Sequence, residues 1–141
     1  MAIADSLGII LTRKGSAVWS TSPDATVFEA IQLMDDKNVG ALPVVDNSRL
    51  IGIISERDYT RKVILKGLSS KDTSVRDIMT REVVTASPSD SIEDCMRVMT
   101  EKRVRHLPVL EGTKIIGIVS IRDVMTWVIS AQTEEIEQFA Y

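Results

Sequence analysis

Apolar residues recur along this chain at two different periods, and the two alternate in the same order twice. Val27, Ala30, Ile31 and Met34 follow helical spacing, and Ile92, Cys95, Met96 and Met99 repeat it. Thr26 with Glu29, and Ser91 with Asp94, have the spacing of a capping box at each helix start. A short apolar run follows each helix, Ala41–Val45 and Leu107–Leu110. Each run is followed by a polar turn, Asp46-Asn47-Ser48 and Glu111-Gly112-Thr113. A second apolar run, Leu50–Ile54 and Ile115–Val119, is rich in β-branched residues and predicts a strand. A second helix is predicted to begin at Ser55 and at Ser120. Short extended segments, Ala17–Ser20 and Val83–Thr85, precede the first helices and are set off by Ser22-Pro23 and Ser87-Pro88.

The duplication is explicit in the letters. Ser22–Ile64 aligns with Ser87–Ile129 without a gap, and more than a third of the paired positions are identical. Two copies are too few for a solenoid, which needs at least three. They predict two similar units related by a pseudo-twofold axis. The polar stretch Lys66–Thr73 joins them, Met1–Leu11 reads as a short helix, and Ser130–Tyr141 reads as a continuation of the last helix with Ile136 and Phe139 on one edge.

Composition narrows the class. The chain has 141 residues, 44% hydrophobic but only 4% aromatic, so aliphatic side chains and Met must build the core. The net charge is −3 and no basic block stands out, which argues against nucleic acid as a partner. No apolar run is long enough for a membrane span, and the N-terminus lacks the order of a signal peptide. A cytoplasmic protein is expected. The single cysteine, Cys95, excludes an internal disulfide and reads as a small core residue. One histidine, His106, makes neither a catalytic pair nor a metal site on its own. There is no Ser/His/Asp order and no Walker-type phosphate loop, so no enzyme is expected.

The most repeated letters are Gly52–Asp58, GIISERD, and Gly117–Asp123, GIVSIRD. One reading is local: Ser-x-x-Asp after a strand is a helix N-cap box. The other is a ligand site. Gly52 and Gly117 would let another backbone or a flat ligand come close. Arg57 and Arg122 stand in the first helical turn, where the helix dipole disfavours a cation unless an anion is bound beside it. Trp127 stands where the first repeat has Lys62, and Trp19 where the second has Val84; both are candidates for a cleft or a dimer contact, as are Met79 and Met125 for an interface.

Taken together, the order extended segment, Ser-Pro, helix, apolar-Pro-Val, turn and Gly-x-x-Ser-x-Arg-Asp, given twice, resembles the cystathionine-β-synthase (CBS) domain. The chain resembles a CBS pair, or Bateman module, over roughly Lys14 to Ile129. The resemblance implies an α+β fold of two tandem CBS motifs, β-α-β-β-α each, packed by pseudo-twofold symmetry into a CBS pair. It divides the chain into an N-terminal segment 1–13, motif 14–66, linker 67–74, motif 75–130 and a helical extension 131–141. It implies a homodimer with a regulatory role, acting on a partner protein that the sequence does not name. Its ligands would be adenosine nucleotides, AMP, ADP, ATP or NAD, in clefts between the motifs.

Carried over by position, the resemblance gives two sites. In one, Asp123 and Ser120 would hold the ribose and Arg122 the phosphate, with a base pocket of Lys14, Val18, Val39, Gly40 and Ala41. In the other, Asp58, Ser55 and Arg57 would take these roles. That site is completed by Thr80, Val83 and Val104 at the base, and by Arg105 and His106 towards the phosphate. A carboxylate suits the ribose hydroxyls, aliphatic walls suit adenine, and Arg suits phosphate through paired N–H donors. The sites differ in charge, since the second repeat has Arg105-His106 where the first has Gly40-Ala41, so unequal binding is expected. The alternative is an interaction module in which the Ser-x-x-Asp boxes are caps only.

Overall fold

The computed structural model describes residues 4–15 and 17–140, the last eight of these by backbone alone. The helices are α1 (Leu7–Lys14), α2 (Val27–Lys37), α3 (Glu56–Tyr59), α4 (Val75–Ile78), α5 (Ile92–Lys102) and α6 (Ile121–Ala140). The strands are β1 (Ala41–Asp46), β2 (Arg49–Ser55), β3 (His106–Glu111) and β4 (Lys114–Ser120). A π-helical segment, Thr60–Ile64, continues α3. The side chains of Glu134, Glu135, Ile136, Glu137 and Phe139, expected to form an acidic helix edge with an apolar strip, lie outside the described residues.

The chain divides into two compact units, Trp19–Val83, and Val84–Tyr141 together with Met1–Val18. In the first, β1 and β2 form an antiparallel hairpin, with Ala41 opposite Ser55 and a bulge at Val44/Val45. Its two-residue turn, Asn47-Ser48, has positive φ at both positions, as the twist of a tight hairpin demands. In the second, β3 and β4 repeat the pairing, with His106 opposite Ser120 and the bulge at Val109/Leu110. Each sheet gains one residue of a parallel third strand. Thr21 bridges Val44 in the first and Ala86 bridges Val109 in the second, each one residue beyond the expected extended segment, which itself forms no strand.

Why these helices start where they do is visible at their caps. The Thr26 hydroxyl accepts the Glu29 amide and the Ser91 hydroxyl accepts the Asp94 amide. Only half of each expected capping box forms there, because the Glu29 carboxylate takes the Thr26 hydroxyl and the Asp94 carboxylate takes Arg97. The buried faces are the expected ones: Val27, Ala30 and Met34 on α2, and Ile92, Cys95 and Met99 on α5.

The segments between the repeats do more than link. In the first unit, α4 inserts Val75 and Ile78 into the core beside Val27, Leu42 and Ile54. The Val27 and Val75 amides donate to Thr73 and Ala25. In the second unit, α1 does the same with Leu7 and Ile10 beside Ile92, Leu107 and Val119. There the Leu7 and Ile92 amides donate to Asp90 and Asp5. Each core therefore contains a short helix that precedes the other repeat in sequence. Met79, expected at an interface, is buried in the first core instead, whereas Met125 is exposed.

Candidate functional site

The two Ser-x-Arg-Asp stretches form the reciprocal caps that the local reading expects. In the first unit the Asp58 amide donates to the Ser55 hydroxyl at 3.2 Å, and the Ser55 amide donates to Asp58 Oδ2 at 3.0 Å. In the second, the Asp123 amide donates to the Ser120 hydroxyl at 3.1 Å and the Ser120 amide to Asp123 Oδ2 at 2.8 Å. The β-strand delivers the serine and the hairpin register fixes its neighbour: Ala41 beside Ser55, His106 beside Ser120. The preceding carbonyl closes the corner, Gly40 O accepting from Glu56 and Arg105 O from Ile121.

The two glycines answer to packing. A Cβ on Gly52 would lie 2.7 Å from Met79 Sδ and 3.0 Å from the Thr80 carbonyl. A Cβ on Gly117 would lie 2.6 Å from Leu11 Cδ2. The expectation of a second backbone is met at Gly52, where Ile53 and Thr80 exchange both backbone hydrogen bonds. Side chains already fill the space at both positions, Met79 just after α4 and Leu11 on α1.

Each cap carboxylate also meets a lysine, from a different place in each unit. Lys14, at the end of α1, donates to Asp123 Oδ2 at 2.7 Å and to the Ile118 carbonyl at 2.8 Å. Lys62, one turn after Asp58, pairs with Asp58 Oδ1 at 3.0 Å and donates to the Ile78 carbonyl at 2.9 Å. The Thr80 hydroxyl completes that shell, donating to Asp58 Oδ1 at 3.3 Å. Sequence reading placed Lys14 and Thr80 near these carboxylates but missed Lys62, although the i,i+4 spacing from Asp58 is a standard ion-pair signal. In the second unit the equivalent position is Trp127, packed against its own core. Its Nε1 donates to Asp5 at 3.2 Å, and the Arg13 guanidinium lies 4.4 Å from its ring centre. Trp19 carries the Lys37 ammonium over its ring at 4.2 Å.

Electrostatics separates the titrating groups of the second unit. Burial raises the Asp123 carboxyl, but the hydrogen bonds from Lys14 and Ser120 outweigh it and hold the group below the ordinary carboxylate range. Burial and the positive charges of Lys14 and Arg105 lower the His106 imidazole, against a smaller opposing pull from Asp123. His106 is half-buried and Arg105 exposed, on the strand start that faces Ser120. Burial, with a contribution from Asp90, pushes the Cys95 thiol up to about 11, so it is no nucleophile at neutral pH.

The remaining expected residues are placed as follows. Arg57 and Arg122 are exposed on the first turns of α3 and α6, with no carboxylate paired to either among the described residues. Val39 and Val104 follow Asn38 and Arg103, the C-caps of α2 and α5, and pack partly against their own cores. Val18 and Val83 are half-buried. Among the described residues no group of His, Cys, Asp and Glu could hold a metal ion, and no helix is long and apolar enough to cross a membrane.

Comparison with known proteins agrees with this architecture. The CBS domain family model matches residues 15–64 and 75–130. The mitochondrial CBS domain-containing protein CBSX3 of Arabidopsis thaliana is 45% identical over 129 residues, covering 88% of this chain and 62% of the plant protein. An inosine-5'-monophosphate dehydrogenase of Methanocaldococcus jannaschii is 38% identical over 110 residues, but this chain spans only 21% of it. The solved structure of a CBS-domain protein from Burkholderia ambifaria MC40-6 superposes with a TM-score of 0.86 at 45% identity, covering 90% of this chain and 96% of that one. With its two antiparallel hairpins, its duplicated Ser-x-Arg-Asp caps and matches over both repeats, this chain belongs to the CBS-domain family, as a tandem pair of a regulatory module.

Proposed function

We propose that this chain is a sensor that binds an adenosine nucleotide, AMP, ADP, ATP or NAD, and acts as a homodimer on a partner protein. The observation that carries this reading is the twin placement of Asp58 and Asp123. Each is a carboxylate on a strand-to-helix corner, with an arginine one residue before it that pairs with no carboxylate among the described residues. The carboxylate would accept from ribose hydroxyls, and Arg57 or Arg122, with Arg105 and His106, would meet phosphate. Backbone amides and the aliphatic side chains of Val18, Val39, Val83 and Val104 would suit the base. No step of covalent chemistry is assigned to the module. A nucleotide would act by binding two states of the protein with different affinity.

Calorimetric titration of the wild type, Asp58→Asn and Asp123→Asn with AMP, ATP and NAD tests the reading. Binding should weaken in at least one variant; unchanged binding in both rejects the ribose assignment. A second reading, an interaction module without a small ligand, is favoured by the complete caps and by the filled space at Gly52 and Gly117. Thermal melts decide between them. A bound nucleotide raises the melting temperature by mass action, and no shift with any adenine nucleotide at millimolar concentration supports the second reading.

A further inference from the structure

Although the two Ser-x-Arg-Asp stretches have the same motif, their carboxylates are not equally available. A carboxylate offers about four lone-pair positions on two oxygens. On Asp58 Oδ2 accepts from the Ser55 amide and hydroxyl, at 3.0 and 3.2 Å. Its Oδ1 accepts from Thr80 at 3.3 Å and forms an ion pair with Lys62 at 3.0 Å. Both oxygens are therefore engaged, by three hydrogen bonds and one ion pair, and the side chain is only 13% exposed. On Asp123 the Ser120 amide at 2.8 Å and Lys14 at 2.7 Å both donate to Oδ2, and the Ser120 hydroxyl also acts on the carboxylate. Oδ1 accepts from no described residue, and the side chain is 23% exposed. The surroundings differ in the same direction. Beside Asp123 stands His106, on whose imidazole Lys14, Asp123 and Arg105 all act, whereas Ala41 stands opposite Ser55.

We propose that the chain takes one nucleotide, on Asp123, and that Lys62 and Thr80 latch Asp58 shut. The inference rests on the nucleotide reading above and says which of the twin carboxylates it uses. The latch is written at one position, four residues after the aspartate. Lys62 there reaches back to its carboxylate, while Trp127 at the matching place carries no charge and engages Asp5 and Arg13. Lys14 does not close Asp123. It leaves Oδ1 open, and its ammonium has three donors of which two are spent, on Asp123 and Ile118. The third is available to a ribose oxygen.

Amide NMR of the wild type titrated with AMP tests this without any substitution. The Ser120 and Asp123 amides should shift saturably, those of Ser55 and Asp58 should stay in place, and calorimetry should give one nucleotide per chain. Lys62→Met should open a second, weaker binding event, and that event should be missing from the Lys62→Met/Asp58→Asn double variant. Two equal sites in the wild type, or saturable shifts confined to Ser55 and Asp58, would overturn the latch while leaving nucleotide binding intact. No binding of AMP, ATP or NAD to any of these proteins would instead sink the nucleotide reading and this inference with it.

Discussion

His106 and Asp123 make the stability of the second unit depend on pH, each with a definite sign. His106 has a lowered imidazole pKa in the folded chain, so the unfolded chain binds the proton more readily. Its contribution is complete above the ordinary histidine value of about 6.5 and is lost as pH falls towards the folded value. Asp123 also has a lowered pKa, and its contribution is present above the ordinary aspartate value of about 3.9 and lost as pH falls below it. Circular-dichroism melts from pH 7.5 to 5.5 should show a decline that His106→Ala flattens; an unchanged slope in that variant refutes the assignment. Lys14→Met should raise both pKa values as followed by NMR, because the lysine lowers each of them. The glycines differ as well. Gly52→Ala meets a backbone carbonyl as well as a sulfur, whereas Gly117→Ala meets only the end of a leucine. Urea unfolding should put Gly52→Ala in the range of about 1–3 kcal/mol expected for overpacking, with Gly117→Ala milder. The reverse order would mean that Met79 and Thr80 yield more easily than Leu11.

At the level of elements, α1 and α4 are interchangeable in role and opposite in allegiance. Leu7→Ala should destabilise by about 2–5 kcal/mol, as for a fully buried leucine. Hydrogen exchange should quicken in β3 and β4 while β1 and β2 keep their protection. Val75→Ala should do the converse, and a uniform change across both hairpins would contradict the division. The hairpins, their turns and the faces of α2 and α5 were legible in the sequence because each rests on periodicity within about a dozen residues. The exchange was not. Leu7 lies far along the chain from Ile92 and Leu107, and nothing local marks the pairing. The repeat hides it too: Ser6 and Ser74, which bridge Ser91 and Thr26, lie out of the register that aligns the main repeats. For the site, Asp58, Asp123 and their serines were legible because a cap is local. What packs against the two glycines was not legible, because Met79 and Leu11, which fill the space, come from elsewhere in the chain.

For the whole chain, the two cores are differently complete. Every buried residue of the first lies within Trp19–Val83, so a fragment of those residues should melt cooperatively. A fragment 84–141 lacks Leu7 and Ile10, which its core requires. It should melt at lower temperature until a peptide of residues 1–18 is added, and a peptide carrying Leu7→Ala should not restore it. Recovery with the altered peptide would show that the short helix is ornamental.

That loan of a helix sets a schedule on the ribosome. Residues 7 to 14 leave the exit tunnel well before Val124, which is part of the surface that shelters Leu7, so at about 5–20 residues per second they wait on the order of ten seconds. Through that interval the first hairpin can already close around its own Val75, while the lent helix stays unclaimed and open to chaperones.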